Sequence, residues 1–453
     1  MRLNDSIDSQ QLARKWKAVD EKIQAVAFWC DETEKNDSSF YVAVKDNISV
    51  SGLPMQAGSH ILKGYRPVYD ASVIGRLRKQ GGHVFCKSKM DELGMGDTGL
   101  NTGTTPIFNP YDLSRIVGGS SGGSAALVAS GCCPLALGTD TGDSIRQPAS
   151  YTGTVGVKPT YGRISRYGIL PYANSMDTVG YFTTCIEDAA YALEIFEGKD
   201  SNDMTTLIKP GGSYHRSLDP SLAGKKIGIF HSVMKTINDP VLQKIFDDLI
   251  HYLERKGAQL VDVDIDSKWL NLVDPVYKTI ANAEACSNHA CLDGLRYGSQ
   301  PIADTVEQAV KQARTTGFSS LVKKRFIYGA YSLYEENQKD LFLKAQKIRR
   351  QIVQEYLMML EDLDVLLALS TPDIAPQIVD LDGSRMQIES LSNSHLKLDN
   401  LAGTPSLSLP LGWKQGCPFG LCIRSNRFQE QKMFDIAKAI ENYTGLAGLT
   451  VEV

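Results

Sequence analysis

The 453-residue chain contains no long apolar run: no stretch approaches the ~20 apolar residues that a membrane-spanning helix needs. It also has no excess of positive charge, because 48 Lys and Arg residues stand against 52 Asp and Glu residues, a net charge of −4. A protein-wide positive field that could hold nucleic acid is therefore excluded, and we expect any RNA to be bound mainly through a partner. The N-terminal segment mixes acids and bases without an apolar core and predicts no secretory signal.

Familiar metal and nucleotide motifs are also missing. The nine cysteines are an odd number spread through a long chain, which favours a reducing compartment over a disulfide framework. Cys286 and Cys291, like Cys417 and Cys422, lack the CxxC spacing of common zinc modules, so we expect no metal. The Gly-rich loop at 118–123 lacks the end of a P-loop and the spacing of a dinucleotide site, which makes a bound nucleotide its weaker interpretation.

Strand and helix patterns alternate along the chain. Apolar or β-branched runs predict buried strands at 40–44, 83–86, 226–230, 259–263, 364–369, 406–409 and 419–423. Helical spacing predicts an N-terminal helix at 8–28 and further helices at 72–80, 239–257, 341–360 and 428–443. Residues 300–361 are mostly helical by pattern. This alternation predicts an α/β fold, a sheet covered by helices.

One segment combines a strand exit with a hydroxyl group. The stretch 139–144 follows an apolar strand and ends in Ser144, beside several backbone N–H groups that could stabilise an anion. A nucleophilic serine needs a base, but none of the seven histidines forms a motif with Ser144. Lys45 leaves a buried strand, and burial can lower the pKa of a lysine toward neutrality, so Lys45 is the candidate base. The alternative for any single serine is a turn or a helix cap.

Three segments together resemble the amidase signature family: 44–47, 120–123 and 138–148. Their separations also match that family, since Lys45 precedes Ser120 by 75 positions and Ser120 precedes Ser144 by 24. The resemblance implies a single large α/β domain over 1–453, with a mixed, mainly parallel sheet covered by helices on both faces. Within it we expect the core signature at 40–185, the N-terminal helix at 8–28 and a helical insertion at about 266–361.

The resemblance also implies roles for individual residues. Ser144 would be the nucleophile that forms an acyl ester, Ser120 would relay a proton from a cis peptide, and Lys45 would be the final base. The expected oxyanion hole consists of four successive backbone N–H groups, those of Thr141, Gly142, Asp143 and Ser144.

Asp143 departs from the family pattern, which usually has Gly before the nucleophile. If the position required a positive φ, Asp would tolerate it better than most residues. A carboxylate near a developing oxyanion opposes catalysis, so we expect the Asp143 side chain to point away from it.

Within the family, four further segments resemble the A subunits of glutamyl-tRNA(Gln) amidotransferases: 158–168, 175–180, 322–329 and 344–349. This resemblance covers the chain from about residue 42 onward and implies a glutaminase. It makes Arg325 the candidate for the glutamine α-carboxylate, a task that suits a bidentate guanidinium. The alternative is a surface arginine on a basic helix beside Lys323 and Lys324.

The sequence leaves open which residue binds the glutamine α-amino group. The expected position falls near Asn393, between Ser392 and Ser394. The nearest acid, Asp399, lies in a different register, so either the local alignment shifts or neutral oxygens hold the ammonium.

The chain has no ATP or Mg²⁺ motif, and the resemblance implies no cofactor in this chain, with ATP and Mg²⁺ on a partner. The expected partners are the B-type component of the amidotransferase and a small third component, of C type or a fungal equivalent, with Glu-tRNA(Gln) bound mainly through the partner.

Two alternatives remain: a stand-alone amidase of small or fatty amides, and an inactive amidase-fold scaffold, which Asp143 motivates. The 44 residues before Lys45 and the Asp143 departure favour a mitochondrial matrix location, with the bacterial cytoplasm as the alternative.

Overall fold

A computed structural model describes residues 9–30, 40–207, 211–380 and 395–453. An 11-stranded sheet runs through the described part of the chain in the order β1-β3-β2-β6-β8-β7-β12-β13-β11-β9-β10, and β4 and β5 form a separate two-stranded sheet. The strands are β1 (Val26–Trp29), β2 (Phe40–Lys45), β3 (Gly82–Ser88), β4 (Phe108–Asn109), β5 (Asp112–Ile116), β6 (Leu135–Asp140), β7 (Val155–Lys158), β8 (Thr178–Thr183), β9 (Lys226–Phe230), β10 (Gln259–Val263), β11 (Val365–Leu369), β12 (Ser406–Lys414) and β13 (Cys417–Arg424).

The sheet is mixed, which confirms the predicted α/β class. The expected predominance of parallel pairing is wrong. In the described part of the large sheet four neighbouring pairs are parallel, β3 with β2, β2 with β6, β11 with β9 and β9 with β10, and six are antiparallel. The antiparallel pairs lie mainly in the middle, where β8 and β12 run against both of their neighbours. The expectation of mainly parallel pairing came from the family resemblance, and the alternation of strand and helix patterns could not correct it, because such patterns predict neither strand order nor direction.

The α-helices of the described chain are α1 (Ser9–Ile23), α2 (Ser72–Lys79), α3 (Gly122–Ala129), α4 (Arg146–Thr152), α5 (Ile186–Phe196), α6 (His231–Met234), α7 (Pro240–Arg255), α8 (Ser267–Leu270), α9 (Val273–Asn288), α10 (Val306–Gly317), α11 (Ser320–Leu333), α12 (Glu335–Gln338), α13 (Phe342–Leu360), α14 (Lys397–Ala402) and α15 (Glu430–Thr444). Short 3₁₀ turns occur at His60–Leu62, Glu92–Gly94, His289–Cys291 and Ile378–Asp380. None of the described helices is long and apolar enough to cross a membrane.

Helices cover both faces of the sheet. Successive strand residues point to opposite faces, and apolar residues at both kinds of position are buried, so each face packs against its own helices. Val42 and Val44 of β2 pack in a core with residues of α2, α5, α7 and α15. Ala43, between them, packs in a second core with α1, α3 and the start of α4. Farther along the same face, Leu366 and Ala368 of β11 join a third core with α9, α11 and α13. Lys45 follows Ala43 by two positions and therefore points to the α3 and α4 side.

The N-terminal helix is shorter than predicted. It ends at Ile23, and Gln24 has a positive φ of 54°. Asp20 then accepts hydrogen bonds from the N–H groups of Ala25 and Val26, at 2.6 and 2.9 Å. The following Val26–Trp29 pairs with β3 as an edge strand, so tertiary pairing overrides the helical spacing that Val26 appeared to continue.

Candidate active site

Lys45 stands at the end of β2 and is fully buried. Its Nζ lies 2.7 Å from Ser120 Oγ, 2.8 Å from Ser121 Oγ and 3.0 Å from Thr139 Oγ1. The Thr139 carbonyl oxygen is also within reach, at 3.2 Å. The amine therefore lies in a cage of hydroxyl groups that can accept its protons or, when it is neutral, donate one to it.

The surroundings of Lys45 shift its acidity strongly. Burial lowers the pKa of the Lys45 ammonium to about 7, against the opposing effect of the nearby Asp140, Asp91 and Asp177 charges. Burial wins because the uncharged form needs no hydration in the interior. Near neutral pH a substantial fraction of Lys45 is a free amine, the form that can accept a proton.

Ser120 lies in a loop between β5 and α3, and the peptide bond between Gly119 and Ser120 is cis, as expected. Only glycine fits before this bond, because a Cβ on Gly119 would lie 1.9 Å from Asp91 Oδ2. Asp91 is itself held by the N–H groups of Gly99 and Asn101, both at 3.0 Å.

Ser144 is 4% exposed and lies between β6 and α4. Two hydrogen bonds tie its segment to the Ser120 loop: Ser121 N–H donates to the Ser144 carbonyl at 3.2 Å, and Gly119 N–H donates to Gln147 Oε1 at 3.4 Å. Among the described residues the N–H groups of 141–144 have no hydrogen-bond acceptor. Four successive backbone donors in the turn that ends at Ser144 are thus without a protein acceptor in the described part of the chain, and such donors can stabilise an oxyanion.

A buried ion network fixes this turn. Arg146 contacts Asp140 through Nη2 and Oδ1 at 2.9 Å, and its Nη2 also donates to the Gly142 carbonyl at 2.8 Å. On its other side, Arg146 Nη1 lies 2.9 Å from Asp399 Oδ2, and Arg424 Nε lies 3.3 Å from the same oxygen. Asp399 is fully buried in these ion pairs. It therefore holds the turn in place and is occupied by protein cations, not directed at a substrate.

Asp143 needs no unusual backbone, because its φ is not positive. The aspartate at this position therefore causes no strain of that kind. Its side chain is partly exposed and lines the same cavity as Ser144. Burial raises the pKa of the Asp143 carboxyl to about 7, opposed by the Lys397 charge and assisted by the Asp97 charge. The direction of the carboxyl relative to an oxyanion stays a prediction.

The cavity in front of Ser144 carries charges of both signs. Its lining residues come from six separate parts of the chain: Gly94, Met95, Gly96, Asp97, Asp143, Ser144, Tyr172, Tyr277, Lys278, Arg325 and Lys397. The structure thus brings Arg325 into the cavity that contains Ser144. Arg325 Nη1 donates to Tyr172 Oη at 3.1 Å, which orients the guanidinium.

The wall that carries Arg325 is built by close helix packing. Helix α11 approaches α9 at Gly329, where a Cβ would lie 2.0 Å from the Asn282 carbonyl oxygen. This contact places Arg325 of α11 near Tyr277 and Lys278 of α9. Tyr277 also closes over the nucleophile turn, since a Cβ on Gly142 would lie 2.8 Å from its hydroxyl.

Several residues of the site had not been predicted. Ser121 and Thr139 stand inside recognised motifs, so their hydroxyl groups could have been proposed as partners of Lys45. Tyr172 and Tyr277 come from distant segments that carry no motif, and only the fold places them beside Ser144. Asn393, the candidate for the glutamine amino group, lies outside the described residues together with Ser392 and Ser394.

The amidase family profile matches residues 38–434. The A subunit of the glutamyl-tRNA(Gln) amidotransferase from Sulfurihydrogenibium sp. is 38% identical over 397 residues, which are 87% of this chain and 81% of that protein. The crystal structure of the corresponding protein from Thermotoga maritima matches with a TM-score of 0.82 and 32% identity, over 96% of this chain and 91% of that chain. The native peptide amidase from Stenotrophomonas maltophilia matches with a TM-score of 0.81 and 26% identity, over 96% and 93% of the two chains.

Each of these alignments covers most of this chain and most of the related protein. The buried Lys45 and the cis Ser120 loop lie within the residues that the family profile matches. The chain therefore belongs to the amidase family. Within that family it is similar in sequence and in structure to A subunits of glutamyl-tRNA(Gln) amidotransferases.

Proposed function

We propose that this chain is the glutaminase subunit of a glutamyl-tRNA(Gln) amidotransferase, in which it releases ammonia for a partner subunit. The observation that carries the proposal is the 2.7 Å contact between buried Lys45 Nζ and Ser120 Oγ, next to a cavity lined by both Ser144 and Arg325. The similarity to the A subunits of such enzymes supports the same role.

The proposed reaction begins with neutral Lys45. Ser144 Oγ attacks the side-chain amide carbon of glutamine and gives its proton to Ser120, which passes its own proton to Lys45 Nζ. The carbonyl oxygen becomes an oxyanion, stabilised by the N–H groups of 141–144. A positioned donor of this kind contributes about 3 kcal/mol.

Collapse of the tetrahedral intermediate breaks the carbon–nitrogen bond. Lys45 returns its proton through Ser120 to the departing nitrogen, which leaves as ammonia, and an acyl ester remains on Ser144. Water then attacks the ester carbon by the same proton route. Glutamate leaves and Ser144 regains its hydroxyl proton, so one glutamine and one water yield one glutamate and one ammonia.

The charges of the cavity support an amino acid amide as the substrate. Arg325 is the proposed partner of the α-carboxylate, because a guanidinium can donate two parallel hydrogen bonds to it. Lys278 and Lys397 both pair with Asp274, with Nζ–O distances of 2.9 and 2.6 Å, so each lysine already has an anionic partner. Asn393, predicted from the sequence for the amino group, stays a prediction.

The amidation of Glu-tRNA(Gln) is assigned to partners. The net charge of −4 supports tRNA binding mainly through a B-type partner, which would also hold the ATP and Mg²⁺, with a small third component completing the complex.

A mitochondrial matrix location is part of the proposal, and subcellular fractionation tests it: recovery with the cytosol would contradict it.

The experiment for the function as a whole is co-purification of the chain with its partners, followed by a Glu-tRNA(Gln) amidation assay driven by glutamine. With glutamine as the sole nitrogen source, the complex should form Gln-tRNA(Gln) only when ATP and this chain are both present. A complex that forms it from glutamine without this chain would contradict the proposal.

A stand-alone amidase is the second candidate, supported by the likeness to the peptide amidase. It requires rapid amide hydrolysis by the isolated chain and no dependence on Arg325. An inactive scaffold requires that a serine-directed acyl probe leaves Ser144 unlabelled. The same assays on the isolated chain and on the complex therefore separate the three functions.

A further inference from the structure

Asp97 occupies a position that neither the motifs nor the proposed mechanism uses. Its main chain packs against the cis Ser120 loop, since a Cβ on Gly119 would lie 3.0 Å from the Asp97 carbonyl carbon. Asp97 also lines the cavity that contains Ser144 and Arg325. Asp97 thus stands beside the reacting centre, partly open to the cavity.

No cation in the described part of the chain forms an ion pair with Asp97, although Lys278, Arg325 and Lys397 line the same cavity. Among the described residues Asp97 makes no hydrogen bond and no ion pair, and its charge raises the pKa of both neighbouring carboxyls, Asp91 and Asp143, in addition to the larger effect of burial. The two lysines of the cavity lie against Asp274 instead. A carboxylate near two other acids is stabilised when a cation binds beside it.

We propose that Asp97 binds the α-ammonium group of the glutamine substrate while Arg325 binds its α-carboxylate. This assignment rests on the proposed glutaminase function. Both charged groups of glutamine are attached to one carbon, and one cavity presents an anion and a cation at its wall, in addition to the nucleophile. This combination of groups in one cavity is the one that an amino acid with a side-chain amide at Ser144 requires.

The other acids nearby fit this task less well. Asp399 is buried between Arg146 and Arg424 and lines no part of the cavity. Asp143 directly precedes the nucleophile, so an ammonium held there would lie at the reacting amide end of the substrate. Asp97 belongs to a different segment and leaves the nucleophile turn free for the amide.

The test uses the co-purified complex and two substrates, glutamine and 4-carbamoylbutanoate, which is glutamine without its α-amino group. In Asp97→Asn we expect kcat/KM for glutamine to fall about 10- to 100-fold, the range for a lost hydrogen bond to a charged group. For 4-carbamoylbutanoate kcat/KM should change less than about threefold, because that substrate offers no ammonium. Retained hydrolysis of this substrate also shows that the variant is folded. The control is Asp262→Asn, an exposed acid on β10, with both rates unchanged.

Two results would overturn the assignment of Asp97: an equal loss on both substrates, which indicates a structural role, or no loss on glutamine. If the wild-type complex does not hydrolyse glutamine, the proposed function fails and this assignment fails with it. The wild-type measurement therefore distinguishes the two failures.

Discussion

The pH dependence of glutamine hydrolysis should report the protonation of Lys45. The mechanism needs the neutral amine, and burial lowers the pKa of Lys45 to about 7. Activity is therefore complete above this pKa and is lost as the pH falls through it. A single proton causes a tenfold loss per pH unit, so kcat/KM at pH 5 should lie about 100-fold below its plateau.

The buried position of the Lys45 amine determines what fraction of it is neutral at pH 7. A lysine with its ordinary pKa of 10.5 would have only about 0.03% neutral amine at pH 7, whereas Lys45 has about half. Burial therefore raises the fraction of competent base about a thousandfold at neutral pH. Lys45→Arg keeps the charge but cannot lose its proton in this range, so the variant should lose activity at every pH.

Asp143 titrates in the same range and must be separated from Lys45. Its carboxyl has a pKa raised to about 7, and it gains negative charge above that value, which opposes an oxyanion. Protonated Lys45 lowers activity on the acid side. Ionised Asp143 lowers it on the basic side only if its carboxyl faces the oxyanion; a carboxyl that points away, as expected, leaves the acid limb alone.

The assay is ammonia release from glutamine by the complex between pH 5 and pH 9, for the wild type and Asp143→Asn. We expect the acid limb near pH 7 in both proteins, and any decline above pH 7 only in the wild type. An acid limb that disappears in Asp143→Asn, or one centred near an ordinary carboxyl pKa, would refute the assignment to Lys45.

Three further changes give distinct results. Arg325→Ala should raise the KM for glutamine about 10- to 100-fold through the lost charged hydrogen bonds, measured by steady-state kinetics, and an unchanged KM would place Arg325 outside the substrate site. Asp143→Gly should keep or raise glutaminase activity in the same assay, and a large loss would show that the carboxyl is needed. Asp399→Asn should destabilise the fold by about 3–5 kcal/mol in denaturant unfolding, because Arg146 and Arg424 lose their shared partner; a cost below about 1 kcal/mol would contradict that role.

The sequence was sufficient for the residues whose chemistry lies in short motifs. The spacing of Lys45, Ser120 and Ser144 is a property of the chain, and a lysine at the end of a buried strand already implies a lowered pKa. The structure adds the contacts that connect them. Thr139 and Ser121 complete the environment of Lys45, although neither was assigned a role beforehand.

Other features depend on how distant segments meet. Tyr172, Tyr277 and Asp97 reach one cavity from separate loops and helices, and no periodicity in the sequence links them. The end of α1 at Ile23 likewise depends on strand pairing with β3, and the central antiparallel pairs depend on strand order. Asp399 was considered for substrate binding because it is an acid at about the right place in the chain, and only the fold reveals its two arginine partners.

The central claim separates glutamine hydrolysis from tRNA amidation, and Ser144→Ala in the purified complex tests it directly. The measurement is Gln-tRNA(Gln) formation with glutamine or with ammonium chloride as the nitrogen source. The account predicts no product with glutamine and wild-type yield with ammonium. Product from glutamine at the wild-type rate, or loss with both nitrogen sources in a folded complex, would contradict it.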